Sequence, residues 1–124
     1  MTTGARESGE FCWINMITPQ PDEARAFYQR IFGWTYTEAP GMGGHIVSVG
    51  GHNIGGLWDL GGPQMPPGTP PCIGVMVMTD SADEIASKAT SLGGKAKPAF
   101  DIAENGRMAE CFDPNGAQFD LWQP

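Results

Sequence analysis

The stretch 60–71, Leu-Gly-Gly-Pro-Gln-Met-Pro-Pro-Gly-Thr-Pro-Pro, places eight Gly or Pro in twelve residues. Pro has no amide hydrogen to give and fixes φ, and Gly loses the most backbone entropy on ordering, so no helix or ladder strand runs through it. The composition predicts a semi-rigid extended linker, roughly 3 Å per residue and about 35 Å in reach. It cuts the 124 residues nearly in half, and the two halves read alike.

In the first half, 11–17 alternates as a strand, with Trp13 and Asn15 on one face and Cys12, Ile14 and Met16 on the other. Pro19 to Pro21 stops it. Asp22-Glu23 suits the positive end of a helix, whose apolar stripe is Ala24, Phe27, Tyr28, Ile31 and Phe32 and whose end is Gly33. Residues 34–37 predict a short edge strand, and 45–49 with 54–58 a hairpin about Gly50-Gly51. The second half repeats this order: a strand over 73–78, a capping box at Ser81 and Glu84, and a helix with Ala82, Ile85, Ala89 and Leu92 inward. A short strand near Lys95 and a hairpin of 107–112 with 117–122 complete it. Trp58 stands sixty-four residues before Trp122, and Gly56 the same distance before Asp120. Each half is β-α-β-β-β. One curved four-stranded sheet with one helix cannot close a core alone, so the modules 11–59 and 72–124 must pair. The expected fold is α+β, two β-α-β-β-β modules pairing into a curved eight-stranded sheet around a cavity. Residues 11–124 then form a single domain behind a flexible leader at 1–10, and a homodimer is expected.

The net charge of −7 argues against nucleic acid and anionic membranes as partners, since both select Lys and Arg patches. No apolar run is long enough to span a bilayer, and no secretory or lipidation signal is read. Cys12, Cys72 and Cys111 form no Cys-x-x-Cys pair. Reduced thiols in a cytoplasmic protein are therefore expected rather than a zinc or redox centre.

Ala26-Phe27-Tyr28 with Phe32-Gly33-Trp34, Ser91-Leu92-Gly93-Gly94, Gly106-Arg107, and Asp113-Pro-Asn-Gly116 leading into Leu121-Trp122-Gln123-Pro124 follow one another in an order that resembles the vicinal oxygen chelate superfamily. This is the fold of glyoxalases, bleomycin-resistance proteins and extradiol dioxygenases. The resemblance covers residues 11–123. Its metal-using members carry His or Glu on the first and last strands of each module, which by the resemblance falls here on Trp13, Gly56, Gly74 and Asp120. A divalent ion needs several convergent donors, and one carboxylate does not supply them, so no metal and no cofactor is expected.

If the hairpin at Pro114-Asn115 is a two-residue turn, Phe112 pairs with Ala117, Ala109 with Asp120 and Arg107 with Trp122. Arg107, Ala109 and Cys111 would then share the pocket face with Gln118, Asp120 and Trp122, and Glu110 would point at the helix. A single bulge would reverse that, which keeps Glu110 as a lesser candidate. The same count about Gly50-Gly51 pairs His45 with Gly56 and aims it into the cavity. Trp13, Asn15, Trp58, Met76 and Met78 would line that cavity, with Gly56 and Gly74 leaving room beside the rings. Ordinary core packing by the same Trp and Met side chains is the competing reading.

The expectation for function is a small-molecule-binding protein of this superfamily that takes a largely apolar ligand, of the sequestration or resistance type. Asp120 would be its polar anchor; the competing reading is a partly solvated carboxylate that only pairs with Arg107. The alternative is a metal-independent isomerase, epimerase or cyclase with Asp120 and His45 as its catalytic groups, which leaves binding and catalysis both open. A metal-dependent lyase or dioxygenase ranks third.

Overall fold

The computed structural model of the chain describes residues 7–63, 65, 67–102 and 104–124. The chain forms two compact units, one built by Trp13–Ile73 and one by Gly74–Pro124 together with the residues leading up to Cys12. Both follow the β-α-β-β order, and the fold is α+β.

In the first unit, β1 (Phe11–Thr18) runs into α1 (Pro21–Phe32), followed by β2 (Thr35–Ala39), β3 (Gly44–Val49) and β4 (His52–Asp59). The sheet order is β2-β3-β4-β1, antiparallel except for the β1–β4 pair. Pro21 opens α1 where its missing N–H costs nothing, Asp22 and Glu23 fill the first turn, and Gly33 closes it at φ 72° with its N–H on Gln29 O. Met16, Leu57, Val47 and Tyr36 face α1, by the alternation of their strands. Leu57 is fully buried, which is worth about 1.5–3 kcal/mol. The helix itself sits shallowly, with Phe27, Ile31 and Phe32 each more than half exposed. Tyr28 instead stacks on Trp34 with ring centroids 5.0 Å apart, and the Phe32 ring lies tilted against Trp34.

In the second unit, β5 (Cys72–Met78) leads to α2 (Ala82–Ser91), then β6 (Lys95–Ala96), β7 (Phe100–Asp101), β8 (Arg107–Phe112) and β9 (Gln118–Gln123). The order is β5-β9-β8-β6, with β7 also on β8. Ser81 Oγ accepts the Glu84 N–H at 3.2 Å and Gln123 Oε1 accepts that of Ala82 at 2.9 Å, so the first turn of α2 has two of its orphan donors satisfied. Small residues bring α2 close to the sheet: Ala82 and Ala86 pack with Ala109, Cys111 and Leu121 in the buried core. Of the ten residues expected as a flexible leader, 1–6 lie outside the described residues. Gly9 and Glu10 are tied to Met78 by backbone hydrogen bonds of 2.8 and 2.9 Å. Gln64 and Pro66 of the expected linker also lie outside them, and its first residues turn rather than extend, with Gly62 N–H on Asp59 O.

Both hairpins depart from the expected register. Between β8 and β9 the loop has three residues, not two: Asp113 N–H bonds Ala117 O, Asp113 Oδ1 takes the N–H of Asn115 and Ala117, and Gly116 has φ 93°. Glu110 therefore pairs with Asp120, Arg107 with Gln123 and Ala109 with Leu121. In the first unit the turn at Gly50-Gly51 is as expected and pairs Val49 with His52, but the register shifts beyond Ser48. His45 then pairs with Leu57 and Ile46 with Gly56. A one-residue slip moves every side chain beyond it to the other face.

Candidate functional site

The face of the second sheet turned away from α2 collects Gly74, Met76 and Met78 from β5, Gln118, Asp120 and Trp122 from β9, and Met108 and Glu110 from β8. Asp120 stands beside Met76 on one side and Glu110 on the other. It is 4% exposed and Glu110 7%, so two carboxylates are taken out of water side by side. Gln118 bridges them, its Nε2 donating to Glu110 Oε1 at 3.1 Å and to Asp120 Oδ1 at 3.2 Å. Lys97 Nζ stands 3.1 Å from Glu110 Oε2, an ionic approach whose angle leaves that oxygen without a hydrogen-bond donor. Burial pushes the Asp120 carboxyl up to about 6, with the Glu110 charge adding to the rise and Gln118 and Lys97 opposing it. Met76 is fully buried, and Trp122 donates its indole hydrogen to Asn105 O at 2.6 Å. Asp120 Oδ2 lies against Gly74, 3.0 Å from where a Cβ would stand.

Arg107 is not part of this face. It lies on the α2 side, where its guanidinium meets both oxygens of Asp83 at 2.9 and 3.1 Å and Asp101 at 3.1 Å. The expected Arg107–Asp120 pairing is thus replaced by Lys97–Glu110–Gln118–Asp120. Ala109 and Cys111 likewise face α2, and burial raises the Cys111 thiol to about 11, with the Asp120 and Glu110 charges adding to it.

In the first unit, Trp13, Asn15, Gly56 and Trp58 share the face away from α1. Asn15 Oδ1 accepts the indole hydrogens of Trp13 at 3.0 Å and of Trp58 at 2.7 Å. The room that Gly56 was expected to leave for a ligand is filled: a Cβ there would run into the Trp58 ring. His45 does not look onto this face. It points toward α1, with Arg25 Nη1 3.2 Å from its Nδ1 and the Tyr36 ring edge-on, and burial followed by the Arg25 charge lowers its pKa. A cleft of about 250 Å³ opens on the α1 side as well, lined by Met16, Tyr28, Leu57 and Cys72 among others.

Lys97 was not singled out from the sequence, and Glu110 was placed on the wrong face. The available signal was Asp113 followed by Gly116, which fits a three-residue hairpin loop with Gly in the left-handed position as well as it fits a two-residue turn.

The architecture is that of a known class of solved structures. The chain is similar to methylmalonyl-CoA epimerase from Mycobacterium tuberculosis, with 16% identity, a TM-score of 0.61, and coverage of 94% of this chain and 87% of that one. It is also similar to the hypothetical protein BH1468 from Bacillus halodurans, with 13% identity, a TM-score of 0.67, and coverage of 95% and 96%. Residues 11–121 match the Glyoxalase/Bleomycin resistance protein/Dioxygenase superfamily, to which the chain belongs. Among curated proteins it is 33% identical over 116 residues to CFP32 of Mycobacterium tuberculosis, covering 90% of this chain and 44% of that protein. It is 30% identical over 129 residues to the anthracycline biosynthesis protein DnrV of Streptomyces peucetius, covering 93% and 47%. The chain thus spans less than half the length of the curated relatives it matches. Among the described residues, no helix is long and apolar enough to cross a membrane.

Proposed function

We propose that this chain is a small-molecule-binding protein that takes a largely apolar ligand against the Asp120 face of the second unit, without a metal or cofactor and as a homodimer. The observation that carries this reading is Asp120 itself. A carboxylate set among Met76, Trp122 and a second carboxylate costs stability, and such costs concentrate where a side chain serves a ligand. Methionine and indole surfaces around one polar anchor suit an apolar molecule with one polar group. A relative named for anthracycline biosynthesis is consistent with a small organic ligand.

The residues at the family's four ligand positions do not suit a divalent ion. Trp13 commits its polar hydrogen to Asn15, the indole of Trp58 fills the space over Gly56, and Gly74 offers no donor. Only Asp120 remains, and the described residues hold no group of three His, Cys, Asp or Glu with ion-binding geometry. Elemental analysis after dialysis should find no stoichiometric divalent metal; about one per chain, lost to chelator together with ligand binding, would contradict the proposal.

A second reading, a metal-independent isomerase, epimerase or cyclase, is favoured by the carboxylate pair. A base with a pKa of about 6 can both take and return a proton near neutrality, and Gln118 bridges it to Glu110. A thermal-shift screen of a small-molecule library provides the ligand. Replacing Asp120 by Asn should weaken its binding by roughly 1.5–3 kcal/mol, the range for hydrogen bonds to a charged group. Unchanged affinity would remove Asp120 as anchor, and solvent deuterium washed into the bound molecule would favour the proton-transfer reading over sequestration.

A further inference from the structure

The first unit holds a polar group that the Asp120 reading does not use. Asn15 is 8% exposed, and its Oδ1 takes two indole hydrogens, from Trp13 and Trp58. A flipped amide would set N–H against N–H at both contacts, so the orientation of this amide is fixed by its partners. Its Nδ2 hydrogens are therefore directed away from both rings. No hydrogen-bond acceptor among the described residues takes them. The only wholly buried side-chain N or O without such a partner among those residues is Glu110 Oε2, so Nδ2 is unpaired but not wholly enclosed.

Trp58 lies beside it in a defined attitude. A Cβ at Gly56 would strike the Cε2, Cζ2 and Nε1 end of its ring, and a Cβ at Gly44 would strike Cε3 at the other end. The ring spans both glycines and lies along the sheet, and the residue is half-buried. A flat aromatic surface next to a fixed pair of N–H donors is complementary to a conjugated ring that carries an oxygen acceptor in its own plane.

We propose that Trp58 and Asn15 form a subsite for a planar, carbonyl-bearing ring, the ring stacking on the indole and the carbonyl oxygen accepting from Asn15 Nδ2. The class includes aromatic ketones, quinones and lactones. The donors are oriented before the ligand arrives, which lowers the ordering cost of binding. This rests on the reading of the chain as a small-molecule binder and adds a subsite of the first unit with its own chemical class.

The test uses the full chain, uniformly labelled with ¹⁵N, and two flat probes of one shape, 9-fluorenone and fluorene, which differ by the carbonyl. Fluorenone should shift the Asn15 Nδ2 resonance pair and the Trp58 Nε1 resonance and bind roughly fivefold or more tightly than fluorene, the effect of one added hydrogen bond. Asn15→Asp keeps an oxygen for both indoles but loses the donors, so its affinity for fluorenone should fall to that for fluorene or below, while the Trp58 Nε1 resonance of the free protein stays downfield as that of a hydrogen-bonded N–H. Equal affinity of the parent for the two probes, which needs no variant, would overturn the assignment. So would parent-like fluorenone binding by Asn15→Asp, or an absence of shifts at Asn15 and Trp58. If these fail while Asp120→Asn still weakens a screened ligand, the binding reading stands and only the subsite is lost.

Discussion

Replacing Asp120 by Asn removes a charge and almost nothing else. The side chains are isosteric, and an Asn Oδ1 can still accept from Gln118 Nε2, which lies 3.2 Å from the Asp oxygen. The stability effect follows from proton linkage. The carboxyl has a pKa of about 6 in the folded chain against an ordinary 3.8, so the folded state holds the proton more tightly than the unfolded one. Above pH 6 the carboxyl is ionised in both states and the folded chain bears the full cost of the buried charge. Below about pH 3.8 it is protonated in both states and that cost is gone. This group therefore makes the parent more stable as the pH falls from about 6 to 3.8, a gain the Asn variant lacks. Two pH units correspond to about 3 kcal/mol. The variant should thus be more stable than the parent by about 2–3 kcal/mol at pH 7.5, or roughly 6–15 °C in Tm for a domain of this size. The difference should shrink toward zero at pH 3.8. Urea unfolding of both proteins at the two pH values measures it. A variant no more stable at pH 7.5, or a gap as large at pH 3.8 as at 7.5, would refute the account of Asp120 as a desolvated carboxylate.

Gly56→Ala should destabilise the chain by about 1–3 kcal/mol, the usual cost of overpacking, and should shift Trp fluorescence as the Trp58 indole leaves Asn15; chemical denaturation read by emission checks both. Arg107→Ala should leave ligand affinity unchanged, because its partners Asp83 and Asp101 lie on the α2 side; a raised Kd in titration would contradict that placement. Ser81→Ala removes the hydroxyl that caps α2 and should cost about 1 kcal/mol, seen as a lower midpoint in urea with no change in binding.

The order of elements was legible because it rests on local signals: the apolar stripe ahead of Gly33, the cap at Ser81 and the paired glycines at Gly50-Gly51. The site was less legible because it rests on register, which depends on single residues in the turns. Asp113 uses its side chain to hold a three-residue loop, and Ile54 is the extra residue that the shift beyond Ser48 accommodates. Neither changes the periodicity of its strand, yet one brings Glu110 beside Asp120 and the other turns His45 away from Gly56. The β7 strand at Phe100–Asp101 escaped notice for a simpler reason, since two residues carry no readable alternation. The glycine at 56 misled differently: its missing side chain signals space, but not which ring fills it, and that ring also lies over Gly44.

Those two glycines also constrain the order in which this chain can change. A side chain at position 44 or 56 is incompatible with the indole at 58, and the indole in turn holds Asn15. Placing a His or Glu at position 56, where the family resemblance puts a metal ligand, therefore requires the Trp58 ring to move or be replaced first, and moving it releases the oxygen of Asn15. Substitutions at Asn15, Gly56 and Trp58 are thereby coupled: the effect of each depends on which side chains already stand at the other two.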